Sequence, residues 1–349
     1  MSATTLHAFL AAWEGAGDGP RTAIADVIRR LAYAAIGIRD TVGSGAFESA
    51  VPEAGESTNG GGDVQKGLDI HADQVFHDAM RQAPVAWYAS EERTAPVLLN
   101  PDAGLALAID PLDGSSNIEV DVSIGTIFSL LPVAGAADAD PDATFRQPGR
   151  QQLAAGFFIY GPQFVLVLTL GSGTHGFRSS PPAGGFIRFP EPFAIASRAR
   201  EFAINASNYR HWADAVRSYV DDCLKGAEGP RERDFNMRWI ASLVAEAYRI
   251  LVRGGVFLYP GDGRPGYHHG RLRLVYEANP IALLIEQAGG AATDTVNPIL
   301  DLPPRSLHER VPLVFGSARE VARIARYHTE PAAIAERSPL FGRRGLFTA

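Results

Sequence analysis

Leu105–Asn117, LALAIDPLDGSSN, is the stretch on which the reading of the whole chain turns. An apolar run ends in two acids, Asp110 and Asp113, that flank a Pro-Leu pair and are followed by Gly114. A short run of this kind bounded by turn residues reads as a strand. Asp-Pro-Leu-Asp-Gly alone is a turn, because proline fixes φ and glycine accepts the left-handed region. Next comes Gly114-Ser115-Ser116-Asn117, and a helix starting here would present free backbone N–H groups and hydroxyls to an anion. The plainer reading makes Ser115 or Asn117 a helix cap. A second apolar run, VSIGTIFSLLPV over 122–133, lies beyond it.

Upstream, VAWYASEE over 85–92 also ends an apolar run in acids, Glu91 and Glu92. Apolar residues at Ile24, Val27, Ile28, Leu31, Ala34, Ala35 and Ile38 recur at helical spacing, which predicts a helix over 21–40 with one face packed inward. A second helix is predicted over 68–81. Between them, 41–67 is rich in Gly, Ser, Glu and Asn, ends in NGGGDVQKG, and is long for a connection, so it reads as a functional loop or disorder. Downstream, 154–171 reads as a hairpin turning at Tyr160–Gln163, and the polar 134–150 as a surface excursion. Past Ala196 the texture changes. Residues 208–224 and 238–252 are helical in pattern, GGVFLYPG is a buried strand, and 280–288 is a helix closed by Gly289 and Gly290. A domain boundary is predicted near residue 197, giving regions 1–196 and 197–334 and a tail, 335–349.

With 349 residues, 46% of them hydrophobic, the chain can bury a core and has room for two domains. Its net charge of −7 supplies no broad field for nucleic acid or an anionic membrane, so attraction to an anionic ligand must be local. The lone Cys223 excludes an internal disulfide and a multi-cysteine zinc site, and fits a reducing compartment. No stretch reaches the ~20 apolar residues of a membrane span and the start lacks a leader pattern, so the expected location is the cytoplasm.

Asp63, Asp69, Glu91, Glu92, Asp110, Asp113 and Glu277 all stand at the ends of runs. Any one alone is most often a solvated charge or turn former. Brought together they would repel and raise their own pKa values unless divalent cations intervened, and all-oxygen donors favour Mg²⁺ or Mn²⁺ over Zn²⁺. Mg²⁺ binds phosphate oxygens readily, which makes a phosphate ester the natural substrate.

DPLDGSSNIEVDVSIGTIFSL, 110–130, resembles the metal and phosphate segment of class I fructose-1,6-bisphosphatases at nearly every position, whereas the wider lithium-sensitive superfamily, inositol monophosphatases included, shares only its sparse D-P-x-D-G-[ST] core. Ser90-Glu91-Glu92, GGDVQKGLD over 61–69, RWIASLVAEAYRILVRGGVFLYP over 238–260 and GRLRLVYEANP over 270–280 extend the resemblance in order and spacing, from about residue 20 to 330. It implies a layered α-β-α-β-α fold with two mixed sheets, a homotetramer, and removal of the 1-phosphate of a small sugar bisphosphate by a Mg²⁺-activated water, in gluconeogenesis or the Calvin cycle. Manganese would substitute, with two or more ions per subunit. Region 1–196 would bind metal and the 1-phosphate, region 197–334 the 6-phosphate. By the same resemblance, Glu91, Asp110 and the Leu112 carbonyl would hold one metal, with Asp113 and Glu277 helping hold a second. Asp63 would arrive as a loop ligand, and Glu92 and Asp69 would orient and deprotonate the water. Gly114, Ser115 and Ser116, beside Asp113, would receive the 1-phosphate. Asn205, Tyr259 and Arg271 would receive the 6-phosphate, with Arg238 reaching in from a neighbouring subunit.

Without the resemblance, Tyr259 would read as a core aromatic, and Arg271 and Arg273 as alternating surface charges. Some positions depart from the pattern: Arg271 replaces a common lysine, Trp239 a tyrosine frequent in animal enzymes, and INASNYRHW over 204–212 leaves Asn208 and Tyr209 as rivals for one phosphate contact. GDGPRTAI over 17–24 lacks the turn that holds AMP in animal enzymes, and DAGLALAI before Asp110 lacks their Lys-Tyr pair, so AMP inhibition is expected to be weak or absent. Rival readings are a sedoheptulose-1,7-bisphosphatase, an inositol phosphatase, or a non-enzymatic sugar-phosphate sensor. The second phosphate contacts argue against an inositol substrate, and the complete acid set against a sensor.

Overall fold

The computed structural model of the chain describes residues 4–15, 19–44, 67–134 and 140–330. Its layering follows from strands that are apolar on both faces. In β4 (Ile124–Pro132), Ile124, Phe128 and Leu130 enter one core and Ile127 another. In β11 (Val256–Tyr259), Val256 and Leu258 face one core and Phe257 the opposite one. Period-2 alternation with both sides buried requires a covering layer on each side.

The first sheet has eight strands in the order β2-β1-β3-β4-β5-β6-β7-β8. Here β1 is Val85–Ser90, β2 Val97–Leu98, β3 Leu105–Asp113, β5 Ala154–Tyr160, β6 Phe164–Thr169, β7 Thr174–Ser180 and β8 Gly185–Arg188. Only β1 and β3 run parallel, which makes the sheet mixed. Helices α1 (Leu6–Glu14), α2 (Pro20–Gly43) and α3 (Gly67–Met80) cover its outer face. The second sheet runs β10-β9-β11-β15-β13, with β9 at Glu201–Ala203, β10 at Asn236–Met237, β13 at Ala291–Thr293 and β15 at Leu313–Gly316, while β12 (Leu272–Arg273) and β14 (Arg310–Val311) form a small antiparallel pair of their own. Helices α5 (Leu243–Arg253) and α6 (Asn279–Gln287) share one core with facing residues of both sheets. Helices α4 (Asp214–Leu224) and α7 (Ala318–Thr329) close the far side. The result is the expected α-β-α-β-α stack with two mixed sheets. No helix among the described residues is long and apolar enough to cross a membrane.

Three local expectations are corrected. The helical pattern of 208–224 is broken: a 3-10 turn over Ala206–His211 ends at Trp212, and α4 begins only at Asp214. The helix read from Arg238 begins at Leu243, because Ala241 adopts φ +63° and Ser242 then caps the helix by accepting the Ala245 N–H. In the excursion at 134–150, Thr144 and Phe145 are buried, Phe145 in a cluster with Trp87, Tyr276 and Leu307. Most of the stretch read as loop or disorder, 45–66, lies outside the described residues, while 41–43 belong to α2.

Candidate active site

Asp110 and Asp113 stand three residues apart on β3, a spacing that sends side chains to opposite faces of a regular strand. Pairing with β4 shifts between them: Asp110 lies opposite Ile127 and Asp113 opposite Gly125, so residues 110 to 113 are matched by only 127 to 125. This one-residue bulge returns both carboxylates to one side. It is braced by the Leu112 N–H donating to Asp110 Oδ1 at 3.0 Å and by the Thr126 hydroxyl donating to the Pro111 carbonyl at 2.8 Å. Proline, which cannot donate to a ladder, is at home in such a bulge.

A Cβ on Gly125 would lie 2.1 Å from the Phe158 carbonyl and 2.7 Å from Val244, so the start of α5 can approach only because residue 125 is glycine. The Val244 N–H then donates to Asp113 Oδ2 at 3.0 Å, bringing the carboxylate to the open N–H end of a helix. Glu277 sits in a π-helical turn, Leu274–Ala278, that runs into α6, and its carboxylate accepts the Arg273 N–H. Parallel pairing of Ser90 with Ile109, with the Glu91 N–H donating to the Ile109 carbonyl at 3.1 Å, sets Glu91 beside Asp110.

Oxygens of Asp110, Asp113 and Glu277 lie within 4.8 Å of one another, and all three residues are buried. Burial, followed by Glu91, Asp113, Glu277 and Glu92, holds the Asp110 carboxyl well above the usual carboxylate range. Burial pushes Asp113 up to about 6, with the Val244 and Leu243 N–H groups pulling back. Burial, Glu91 and Asp113 hold Glu277 well above its ordinary value, opposed by the Arg273 backbone N–H and guanidinium. Desolvated carboxylates that repel each other in this way fit a divalent cation bound through oxygen, so the cluster can hold a metal.

Asp69, in the first turn of α3, is buried, and Glu92 is partly buried just past β1. Asp63 lies outside the described residues. Gly114 takes φ +80° and opens a 3-10 helix over Ser115–Val120, shorter and tighter than an α-helix. No side chain caps it, which removes the capping reading of Ser115 and Asn117. Asn117 instead donates at 2.7 Å to the carbonyl of Ala241, whose left-handed backbone is the kind of strain that gathers at functional sites. Ser116 is exposed.

Asn205 and Tyr259 meet at a second cleft, where Asn208, Arg264 and Tyr267 also line the wall. Asn205 follows β9 and Tyr259 ends β11, two parallel strands, so the cleft opens at their carboxyl ends, where α/β sheets bind ligands. Arg271 donates to the Tyr267 hydroxyl at 3.1 Å and stacks on its ring at 5.1 Å; Arg264 stacks on the same ring at 4.1 Å. Tyr209 turns away and donates to Asp221 at 3.0 Å, so of the two rivals Asn208 is the one on the cleft. The exposed Arg238 lies 3.7 Å from Glu201, away from this cleft within its own chain.

Sequence reading missed Arg264 and Tyr267, which in GDGRPGY look like ordinary turn residues, and the helix end facing Asp113. It also left Arg273 as a surface charge unless the family pattern said otherwise. At 1% exposed, Arg273 is a core residue beside Glu277.

The family models for the fructose-1,6-bisphosphatase N-terminal and C-terminal domains match residues 14–191 and 195–329. Class 1 fructose-1,6-bisphosphatases of Rhizobium meliloti and Sinorhizobium medicae are each 62% identical over 349 residues, covering the whole of both chains. A crystal structure of Leishmania major fructose-1,6-bisphosphatase in holo form superposes with a TM-score of 0.85 at 28% identity, covering 95% of this chain and all of the other.

Proposed function

The chain belongs to the class 1 fructose-1,6-bisphosphatase family, and from that membership we propose that it hydrolyses fructose 1,6-bisphosphate to fructose 6-phosphate and phosphate. At the level of the site, the carrying observation is the buried trio Asp110, Asp113 and Glu277, too close and too dry to be stable as bare anions. Magnesium, or manganese in its place, at two or more ions per subunit, supplies when bound the balancing charge and the polarisation that acidifies water and neutralises a leaving alkoxide. Glu91, Asp110, the Leu112 carbonyl, Asp113 and Glu277 would hold it, with Asp63 joining from outside the described residues.

In this reading Glu92 and Asp69 orient the attacking water, and a carboxylate of this pair takes its proton as the bond to phosphorus forms. Backbone N–H groups at Gly114 and Ser115, with the Ser116 hydroxyl, receive the 1-phosphate next to Asp113. Asn205, Tyr259 and Arg271 grip the 6-phosphate on the cleft that Asn208 and Tyr267 also line, where Arg264 is already paired with Asp262. Arg238 completes that grip from a neighbouring subunit of a homotetramer. Most of the metal and 1-phosphate site falls to the N-terminal region, with Glu277 supplied by the C-terminal one, which also carries the 6-phosphate site. Phosphate release is measured on fructose 1,6-bisphosphate and sedoheptulose 1,7-bisphosphate, with Mg²⁺ and then with EDTA. Metal-dependent turnover of the fructose ester is expected, and turnover that survives EDTA would overturn the reading.

A further inference from the structure

Asp73 follows Asp69 by one helical turn on α3, the i,i+4 spacing that puts both side chains on one face, and both residues are buried. Two partners hold the Asp73 carboxylate. The Tyr88 hydroxyl donates to Oδ1 at 2.9 Å, and Arg93 donates to Oδ2 from Nε at 2.8 Å, with its Nη2 in ion-pair contact with the same oxygen at 2.8 Å. Tyr88 lies on β1 three residues before Glu91, and Arg93 directly follows Glu92, so the partners of Asp73 bracket the two glutamates in sequence. The Arg93 guanidinium also lies 5.6 Å from the Tyr88 ring, and the Arg93 N–H closes the turn by donating to the Ser90 carbonyl at 3.2 Å. The helix that carries Asp69 and the turn that carries Glu92 are thus tied one residue from Glu92 and one helical turn from Asp69.

We propose that Arg93 is a positioning residue whose hydrogen-bonded ion pair with Asp73 sets the separation and angle between Asp69 and Glu92, so that both carboxylates meet on one water. This rests on the reading of Asp69 and Glu92 as the water-orienting pair. A planar fork on a single carboxylate suits the task, because it resists rotation where a lysine ammonium does not. Misplacing a catalytic pair by about 1 Å is enough to cost on the order of a hundredfold in rate.

The test compares Arg93→Ala, Arg93→Lys, Asp73→Asn and the double variant Arg93→Ala/Asp73→Asn with the wild-type tetramer. It reads kcat and KM for phosphate release, the Mg²⁺ concentration for half-maximal rate, and Tm, with working sites counted by substrate titration. Arg93→Ala should lower kcat per working site about tenfold to a hundredfold, leaving KM and the Mg²⁺ midpoint within about twofold. Arg93→Lys should recover part of the loss, and the double variant should be no worse than the poorer single one, since both remove the same link. An ion pair that only supported the fold would lower Tm and the number of working sites while leaving kcat per site unchanged, and that result overturns the proposal. So would additive losses in the double variant. If the wild type turns over and Glu92→Gln does not, while Arg93→Ala is normal, this inference alone fails. If Glu92→Gln keeps its turnover, the underlying assignment of the pair fails with it.

Discussion

Glu246 and Asp110 are both buried carboxylates, and the chain gives them opposite company. Glu246, at 0% exposed, accepts the Ile240 N–H at 2.7 Å and two bonds from Arg249 at 2.9 and 3.1 Å. Arg249 also reaches Glu201 at 2.8 Å, and Glu201 takes Arg253 at 2.6 Å. Burial raises the Glu246 carboxyl, but Arg249 and the Ile240 N–H pull it back. At Asp110, burial and the acids Glu91, Asp113, Glu277 and Glu92 all push the same way. Acids that serve the architecture are balanced by arginines of the chain itself. Around Asp110 the neighbouring charges are themselves acidic, which fits a site whose remaining charge a divalent cation would balance.

The contrast can be broken at several points. With Glu92 in the water-orienting pair proposed above, Glu92→Gln should lower kcat by about 10²–10⁴-fold with substrate binding retained, read by steady-state assay and calorimetry. Glu246→Ala should cost about 3–5 kcal/mol in urea unfolding, since it strands Arg249 and the Ile240 N–H in the core. Glu277→Gln should do the reverse in the metal-free protein, raising Tm while abolishing the Mg²⁺-induced gain. If both substitutions destabilise alike, the distinction between the two regions is wrong.

A pH series sharpens the same contrast. Asp113 at about 6, and Asp110 and Glu277 raised as well, keep protons in the folded metal-free protein that the unfolded chain has already released. Where the folded state binds more protons, stability falls as pH rises, starting near the ordinary carboxylate pKa of about 4. Tm in EDTA should therefore be lower at pH 8 than at pH 5, and the Tm gain on adding Mg²⁺ should be larger at pH 8; a Tm in EDTA that rises over this interval would refute it. The smallest expected effect is that of AMP. The groove at the start of α2 is lined by Gly19, Thr22, Asp26, Gln82 and Asn100 among others, with no lysine or arginine among its described lining. Each charge-assisted bond that AMP lacks there is worth about 1.5–3 kcal/mol, so an activity titration should show weak inhibition or none, and micromolar inhibition would contradict it.

Much of the fold is legible in the sequence. Helical spacing from Ile24 to Ile38 marked α2, the Tyr160–Gln163 turn marked the hairpin, and the resemblance supplied the five layers and the candidate acids. Failures came where one local element interrupts another. Trp212 ends a 3-10 turn and the left-handed Ala241 delays a helix start, where apolar spacing alone would run one helix through, because periodicity carries no information about a backbone turn. The second cleft was read only in part, since Arg264 and Arg271 come together on the Tyr267 ring through the fold and not through any pattern of their own.

The sequence by itself determined which residue types are present for the chemistry: acids at strand ends, a Gly-Ser-Ser-Asn turn, and a single cysteine that rules out an internal disulfide. It did so because periodicity and residue chemistry are local properties. Tertiary structure alone decided that Asp110 and Asp113 face the same way, through a bulge against β4, and that Gly125 admits α5 so that its N–H end meets Asp113. It also decided that Arg273 is buried beside Glu277. Those outcomes depend on register between strands and on how closely two backbones approach, which no single segment of the chain contains.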